Sequence, residues 1–289
     1  MKIIESHIVP AVSDKIRLQE YAVSIFTSIP TRSGIKKAIK KGLILINGKK
    51  AHTADWIKEG QKIELLKPDT SETKVFKLKL DVLFEDEHLA VIHKPPGYPT
   101  SGNYFKTIQN ALPYNLEPST ALDALASPLP AHRLDNPTSG ILLCAKTRKT
   151  LTGLQEAFAK KKIVKTYYAL VRGEITSPVE ISSDIHGKSA VTNITPKEIF
   201  QIEKEKYTLV EVNPLTGRTH QIRIHLARIG NPVVGDVEYG DEETGYFKGK
   251  SLYLFAVKIS FSHPLTQETQ NYKIRLPKKL RSLKYYRLR

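Results

Sequence analysis

The chain has 289 residues, 40% of them apolar and 13 of them tyrosine, enough for one large domain or for a small domain beside a medium one. No stretch approaches the roughly 18 to 20 consecutive apolar residues of a membrane span. The opening MKIIESHIVPAVSDK carries an acid, a histidine and a proline where a signal peptide would be uniformly apolar. A single cysteine, Cys144, excludes an internal disulfide and a cysteine-rich zinc site, so a reducing, cytoplasmic setting is expected, without membrane.

The formal charge of +16 is unevenly placed. Residues 1–67 hold 13 Lys/Arg against 6 Asp/Glu, residues 273–289 hold 8 against none, and the stretch between holds 24 against 23. Two basic ends around a balanced centre suggest a polyanion gripped from the periphery while chemistry proceeds in the middle.

From the N-terminus, IRLQEYAVSIF has the apolar spacing of a short amphipathic helix. TRSGIKKAIKKG predicts a second helix, with Thr31 as N-cap and Gly42 as stop. LILINGKKA is an apolar run closed by Asn-Gly, a hairpin signal, and IKEGQKIELL adds another turn and strand. On the second helix Arg32, Lys36 and Lys40 share a face, with Lys37 and Lys41 beside them, an arrangement suited to a run of phosphates. Their crowding without nearby acids in sequence favours RNA contact over a merely solvated face.

Thr31-Arg32-Ser33, Ile39, Lys41-Gly42 and Ile46-Asn47-Gly48-Lys49, followed by GQKIEL, resemble in order the small RNA-binding domain named after the ribosomal small-subunit protein S-four. The match spans roughly residues 14–66 and adds Lys49 to the expected RNA contacts. The division expected is therefore an α+β RNA-binding domain over 1–67, a polar linker over 68–75 and a catalytic body over 76–289.

In the body, FKLKLDVLF alternates over Phe76, Leu78, Leu80, Val82 and Phe84, the pattern of a half-buried strand. LAVIHKPPG predicts a strand ending in a proline turn, and GILLCAKT a buried strand. LTGLQEAFAKKK has helical spacing. KTYYALVRG and YTLVEV predict strands, HQIRIHLARIG a helix and SLYLFAVKISFSHP a long strand. Strands dominate, so the body is expected to be α+β around a mixed, largely antiparallel sheet with flanking helices.

Polar groups concentrate in three places. PAHRLDNPTSGILLCAK sets His132, Arg133, Asp135, Thr138 and Ser139 in a loop that runs into a buried strand, a good position for a working carboxylate. KTYYALVRG puts Lys165 and Tyr167 on one face of a strand. TGRTHQIRIHLARIG packs Arg218, His220, Gln221, Arg223 and His225 into eight residues. A hydrolase triad of His132, Asp135 and Ser139 is disfavoured, because the three share one short loop without a Gly-x-Ser-x-Gly elbow. His220 and His225, five apart with no acid between, do not make a helical zinc pair, and no phosphate-binding P-loop is present.

Together, HRLDNPTSG, KTYYALVRG, TGRTHQIRIHLARIGNPVVGDVEYG, the opening LAVIHKPPG and the closing FSHP resemble, in the right order, the motifs of the RluA-type RNA pseudouridine synthases. The resemblance covers about residues 80–277. It departs from the family at Leu254-Phe255-Ala256, where many members have Leu-His-Ala, and over 99–131, which lacks the usual His-Pro and Arg-Pro-Gly.

The resemblance implies isomerisation of uridine to pseudouridine without cofactor or metal, by a chain expected to act as a monomer. Ribosomal RNA is favoured over transfer RNA as the substrate. The uridine has to leave its stack, since side chains cannot reach the glycosidic bond inside a helix. By the same resemblance Arg133 fills the vacated space and holds the flipped base. Asp135 attacks ribose carbon 1′ or removes a ribose proton, and Arg223 is the cation that keeps it ionised. Tyr167 stacks on the base, with its hydroxyl available to the proton leaving carbon 5. Leu252 or Leu254 adds an apolar wall, and Arg218 and His220 order the loop or touch phosphate. Two rivals share the charge pattern: a non-catalytic, ribosome-associated RNA binder and an RNA glycosidase.

Overall fold

The computed structural model describes residues 3–11, 15–29, 31–66, 75–240 and 245–288. Two compact units divide the chain, Met1–Thr73 and Lys74–Arg289. The expected linker, 68–75, lies outside the described residues except for Val75. Among the described residues no helix is long and apolar enough to cross a membrane.

The first unit runs β1 (Ile3–Ile8), α1 (Leu18–Ile25), α2 (Arg32–Lys40), β2 (Ile44–Ile46), β3 (Lys49–Lys50) and β4 (Lys62–Leu66), its sheet ordered β1-β4-β2-β3. The Thr31 hydroxyl caps α2 by accepting from Gly34 N–H at 3.1 Å. Ile35, Ala38 and Ile39 go into the core against Leu18, Ala22, Phe26, Ile44 and Ile63, which leaves Arg32, Lys36, Lys37 and Lys40 exposed on the other side. Asn47 and Gly48 both take positive φ, 49° and 77°, as the tight β2–β3 turn requires. Strand β1 has no counterpart in the sequence reading, because its isoleucines Ile3, Ile4 and Ile8 stay exposed and mark no buried face.

The second unit runs β5 (Asp81–Glu85), β6 (Leu89–Lys94), α3 (Ile108–Asn115), β7 (Ala124–Pro130), β8 (Ser139–Thr147), α4 (Arg148–Ala159), β9 (Val164–Arg172), β10 (Val179–Ser182), β11 (Val191–Ile202), β12 (Glu205–Pro214), α5 (Gln221–Arg228), β13 (Leu254–Ser262), β14 (Thr269–Lys273) and α6 (Lys278–Arg281). The sheet is ordered β10-β11-β12-β9-β13-β8-β6-β5, with β14 also on β13 and β7 also on β8. Its ladders are antiparallel except β8 with β13, which meet in parallel through Ser139–Phe255 and Gly140–Ala256. The body is thus α+β on a mixed, largely antiparallel sheet. Every residue of β8 is buried, which accounts for its unbroken apolar reading.

The strand expected over 76–84 pairs only from Asp81 onward. Upstream, Phe76 N–H donates to Asn110 O, Leu80 N–H to Asn115 Oδ1, and Asn115 Nδ2 to Leu78 O, so α3 satisfies this backbone in place of a neighbouring strand. A bulge between Val82 and Phe84 then breaks the alternation and turns Val82 and Leu83 to solvent.

The basic C-terminal stretch is ordered against this body. Leu280 and Leu283 are buried with Phe200, Tyr253 and Phe255, and Leu288 N–H donates to Ile199 O at 2.9 Å. Lys279 Nζ sits 4.1 Å from the centre of the Tyr253 ring and 4.9 Å from that of Phe255, and donates to Leu252 O at 2.8 Å.

Candidate active site

Where β8 and β13 meet, the registers of five strands line up. Lys94 on β6 stands opposite Gly140 on β8, Gly140 opposite Ala256 on β13, Ala256 opposite Tyr167 on β9, and Tyr167 opposite Val212 on β12. Residues directly opposite one another face the same side of a sheet. Two small residues in the middle of this row leave room above the sheet between Tyr167 and Lys94. Gly140 has φ +132°, and a Cβ there would lie 2.6 Å from Ala256 N and nearer still to Ala256 O, so the parallel seam depends on glycine.

The loop between β7 and β8, residues 131–138, carries Arg133 and Asp135 over this row. The buried Lys94 ammonium donates to the backbone carbonyls of Thr138 (2.8 Å), Asn136 (3.1 Å) and Pro95 (3.1 Å). Burial lowers its pKa to about 8, partly countered by the charge of Asp135. Gly97 N–H donates to Asn136 O, and the Thr100 hydroxyl both donates to Leu134 O (2.8 Å) and accepts from Leu134 N–H (3.1 Å). At the start of the loop, His132 Nε2 accepts from Leu143 N–H at 3.1 Å and the ring lies against Phe158, 4.6 Å between centres. Burial, with the Lys165 charge second, pushes this imidazole down to about 3, so it is neutral at ordinary pH. His132 and Ser139 thus serve the backbone and the β8 ladder, and no triad forms with Asp135.

The Asp135 carboxylate opens on a cavity of about 330 Å³ whose walls include Thr100, Arg133, His220, Arg223 and Glu238. His220 Nε2 is 3.8 Å from Asp135 Oδ1, and its Nδ1 is 3.0 Å from the Tyr239 hydroxyl and 3.3 Å from Glu238 Oε1. His220 takes a left-handed conformation, φ 54°, at the start of α5. The turn before it is organised by the buried Gln221 carboxamide, which accepts from Arg218 N–H and the Thr216 hydroxyl and donates to Val191 O and Thr192 Oγ1.

Arg223 points from α5 into the same cavity, but its direct partners are other than Asp135. Nε and one terminal nitrogen donate to the two oxygens of Asp236 at 2.7 and 2.6 Å, and the same terminal nitrogen reaches Glu238 at 3.1 Å. Burial opposes its charge, and the Asp236 hydrogen bonds and the charges of Asp236, Glu238 and Asp135 outweigh that, leaving the guanidinium above its ordinary pKa. Its field therefore reaches Asp135 without a hydrogen bond to it.

Tyr167 is wedged between two apolar clusters beneath the loop. Burial, and secondly the charge of Asp135, raise its phenol far above the usual range. Leu252 and Leu254 do not line the cavity: they are buried behind Tyr167 with Ile222 and Leu226. Arg218 lies outside the cavity lining too, exposed and donating to Ser189 O. His225 is buried and donates to Ser183 O, away from His220 and its partners. Phe255, opposite Ser139 and Tyr168, belongs to the other face of the sheet and packs under Lys279. The departure from Leu-His-Ala is therefore a packing change on the face of the sheet opposite Tyr167.

In the N-terminal unit Arg32, Lys36, Lys37, Lys40, Lys41 and Lys49 are all exposed. Arg32 has an acid partner not evident from local sequence, Glu20 of α1 at 2.7 Å. Lys94, Thr100, Asp236 and Glu238 are the site residues that the sequence reading did not single out. The available signals were a lysine at the end of an apolar strand and an acid directly after Val-Val-Gly.

The family model described as RNA pseudouridylate synthase matches residues 88–228. An uncharacterized RNA pseudouridine synthase of Aquifex aeolicus is 30% identical, covering 98% of this chain and 97% of its own length. Ribosomal large subunit pseudouridine synthase C of Vibrio parahaemolyticus is 32% identical over 87% of this chain and 86% of its own. Among solved structures, human RNA pseudouridylate synthase domain containing 1 superposes with a TM-score of 0.59 at 23% identity, over 76% of this chain and 91% of that one, a likeness of fold.

Proposed function

Because the chain belongs to the RluA-type family of RNA pseudouridine synthases, we propose that Asp135 is its catalytic carboxylate, acting on a uridine flipped out of large-subunit ribosomal RNA. The observation that carries this reading is the disposition of Asp135. The backbone on either side of it is tied down, Leu134 by Thr100 and Asn136 by Lys94, while its carboxylate faces a cavity rimmed by Arg133, His220 and Arg223. A carboxylate fixed through the main chain that flanks it, with no hydrogen bond to its oxygens among the described residues, suits attack on ribose carbon 1′ or removal of a ribose proton.

The other residues take roles consistent with their surroundings. Arg223, anchored by Asp236, supplies positive potential at Asp135 without consuming its lone pairs. Arg133, exposed at the mouth, enters the space vacated by the base. Tyr167 forms the floor on which uracil stacks. Its raised phenol pKa favours a ring surface and hydrogen-bond donor over a base for the carbon-5 proton. His220, between Asp135 and Glu238, orders the rim. The exposed cations of α2, with Lys41 and Lys49, bind RNA phosphates from the N-terminal unit. Ribosomal rather than transfer RNA is chosen because similar proteins, such as those of Vibrio parahaemolyticus and Zymomonas mobilis, are ribosomal large subunit pseudouridine synthases.

The test is tritium release from unmodified ribosomal and transfer RNA labelled at carbon 5 of uridine. Wild type is expected to release tritium from large-subunit RNA. Asp135→Asn should lose at least about a thousandfold in turnover while binding the same RNA within roughly twofold, as expected when a reacting group is removed but its surroundings persist. Equal release by the variant would remove Asp135 from the chemistry.

A further inference from the structure

A second cavity, of about 290 Å³, abuts the first and shares Arg133 and Ser101 with it. Its other walls are His132 and Leu129, Pro130 and Leu151, together with Gln109 from α3 and Gln155 from α4. Among the described residues no hydrogen bond engages either glutamine carboxamide, and the Arg133 guanidinium likewise has no acid partner. Apolar walls, a flat imidazole and two uncommitted donor–acceptor groups are what a single unstacked base requires.

We infer that this cavity is a second nucleotide site, which takes an unpaired purine adjacent in sequence to the target uridine and reads it through Gln109 and Gln155. The inference rests on the uridine occupying the cavity at Asp135, since Arg133 then stands between two consecutive nucleotides. A purine follows from the chemistry of the two glutamines. A carboxamide matches an edge that offers one donor and one acceptor. Adenine has two such edges, N6 with N7 and N6 with N1, and unpaired guanine has two, O6 with N1–H and N2–H with N3, one for each glutamine. Cytosine has one, and uracil, with N3–H as its single donor, engages one at a time.

The experiment measures fluorescence-anisotropy binding of five-nucleotide RNAs with a central uridine, each neighbour varied in turn. The full chain carrying Asp135→Asn is used, so that no turnover intervenes. A purine on one side of the uridine should tighten binding about tenfold over a pyrimidine there, within what one bidentate carboxamide–base pair discriminates. Adding Gln109→Ala and Gln155→Ala should reduce that preference below about twofold. Gln155→Glu, which keeps the shape and loses the donor, should reduce it as well, with thermal melting unchanged in each variant. A preference for guanine alone would transfer the reading to Arg133 and overturn the inference, as would a purine preference that survives loss of both glutamines, or no preference at all. Purine preference without tritium release by the wild type would uphold the site and sink the catalytic reading. Release without preference would do the reverse.

Discussion

The two loops that face each other across the cavity are held by opposite means. The loop bearing Asp135 is tied almost wholly through its backbone, to the Lys94 ammonium, the Thr100 hydroxyl and Gly97 N–H. The segment bearing His220 and Arg223 is tied through side chains: Gln221 to Thr192, Arg223 to Asp236 and Glu238. Backbone anchoring fixes where a carboxylate sits and spares its oxygens for reaction. Side-chain anchoring makes the direction of a cation depend on the ionisation of its partners. One side of the site therefore responds to packing and the other to charge.

The largest expected effect tests the packed side. Gly140→Ala forces a methyl into the Ala256 backbone, and should cost about 3–5 kcal/mol in urea unfolding, the range of severe core and backbone lesions. A loss below ~1 kcal/mol would mean that the seam yields more easily than its register implies. On the charged side, Asp236→Ala leaves a guanidinium of 4% exposure without its buried partner and should cost about 3–5 kcal/mol by the same assay. Lys94→Met strips three carbonyls of their donor. The expected result is a loss of about 2–3 kcal/mol, with kcat falling between about 10- and 100-fold as Asp135 shifts and KM nearly unchanged.

His132 sharpens the comparison through pH. Its folded-state pKa is pushed down from the ordinary 6.5 to about 3, so as pH falls across that window the unfolded chain takes up the proton first. Stability should decline from about pH 6.5 toward 3, and His132→Gln, which retains an acceptor for Leu143 N–H, should flatten that limb of the melting profile. The smallest effect belongs to Glu238→Gln. Glu238 is 49% exposed and Asp236 still holds Arg223, so less than ~1 kcal/mol is expected, diminishing with salt.

Legibility in the sequence followed the range of the contacts. α2 announced itself locally, with Thr31 before it and Ile35, Ala38 and Ile39 at helical spacing; β8 did so as an unbroken apolar run. Strand β11 went unread because Pro196 and the bulge before Glu198 interrupt its alternation. Asp135, Tyr167, His220 and Arg223 drew notice as polar groups at the ends of apolar elements. Lys94, Thr100 and Asp236 did not, since each acts on backbone or charge far away along the chain, and a single sequence does not display such partners. Phe255 shows the converse: a substitution conspicuous in the motif becomes a packing choice once strand parity places it under Lys279.

The parallel seam of β8 and β13 has a consequence for assembly. Strands β5 to β8 pair among themselves, and so do β9 to β14, and the ladder that joins the two sets, at Ser139 with Phe255, spans more sequence than any other of this sheet, the β9–β13 ladder coming next. Closing the seam is thus the longest-range pairing of this sheet, and loop-closure entropy sets it after the local hairpins. During synthesis the Asp135 loop emerges well ahead of β13, so a nascent chain holds the reactive carboxylate before it holds the floor beneath it. Competence for chemistry arrives late, with the joining of two half-sheets.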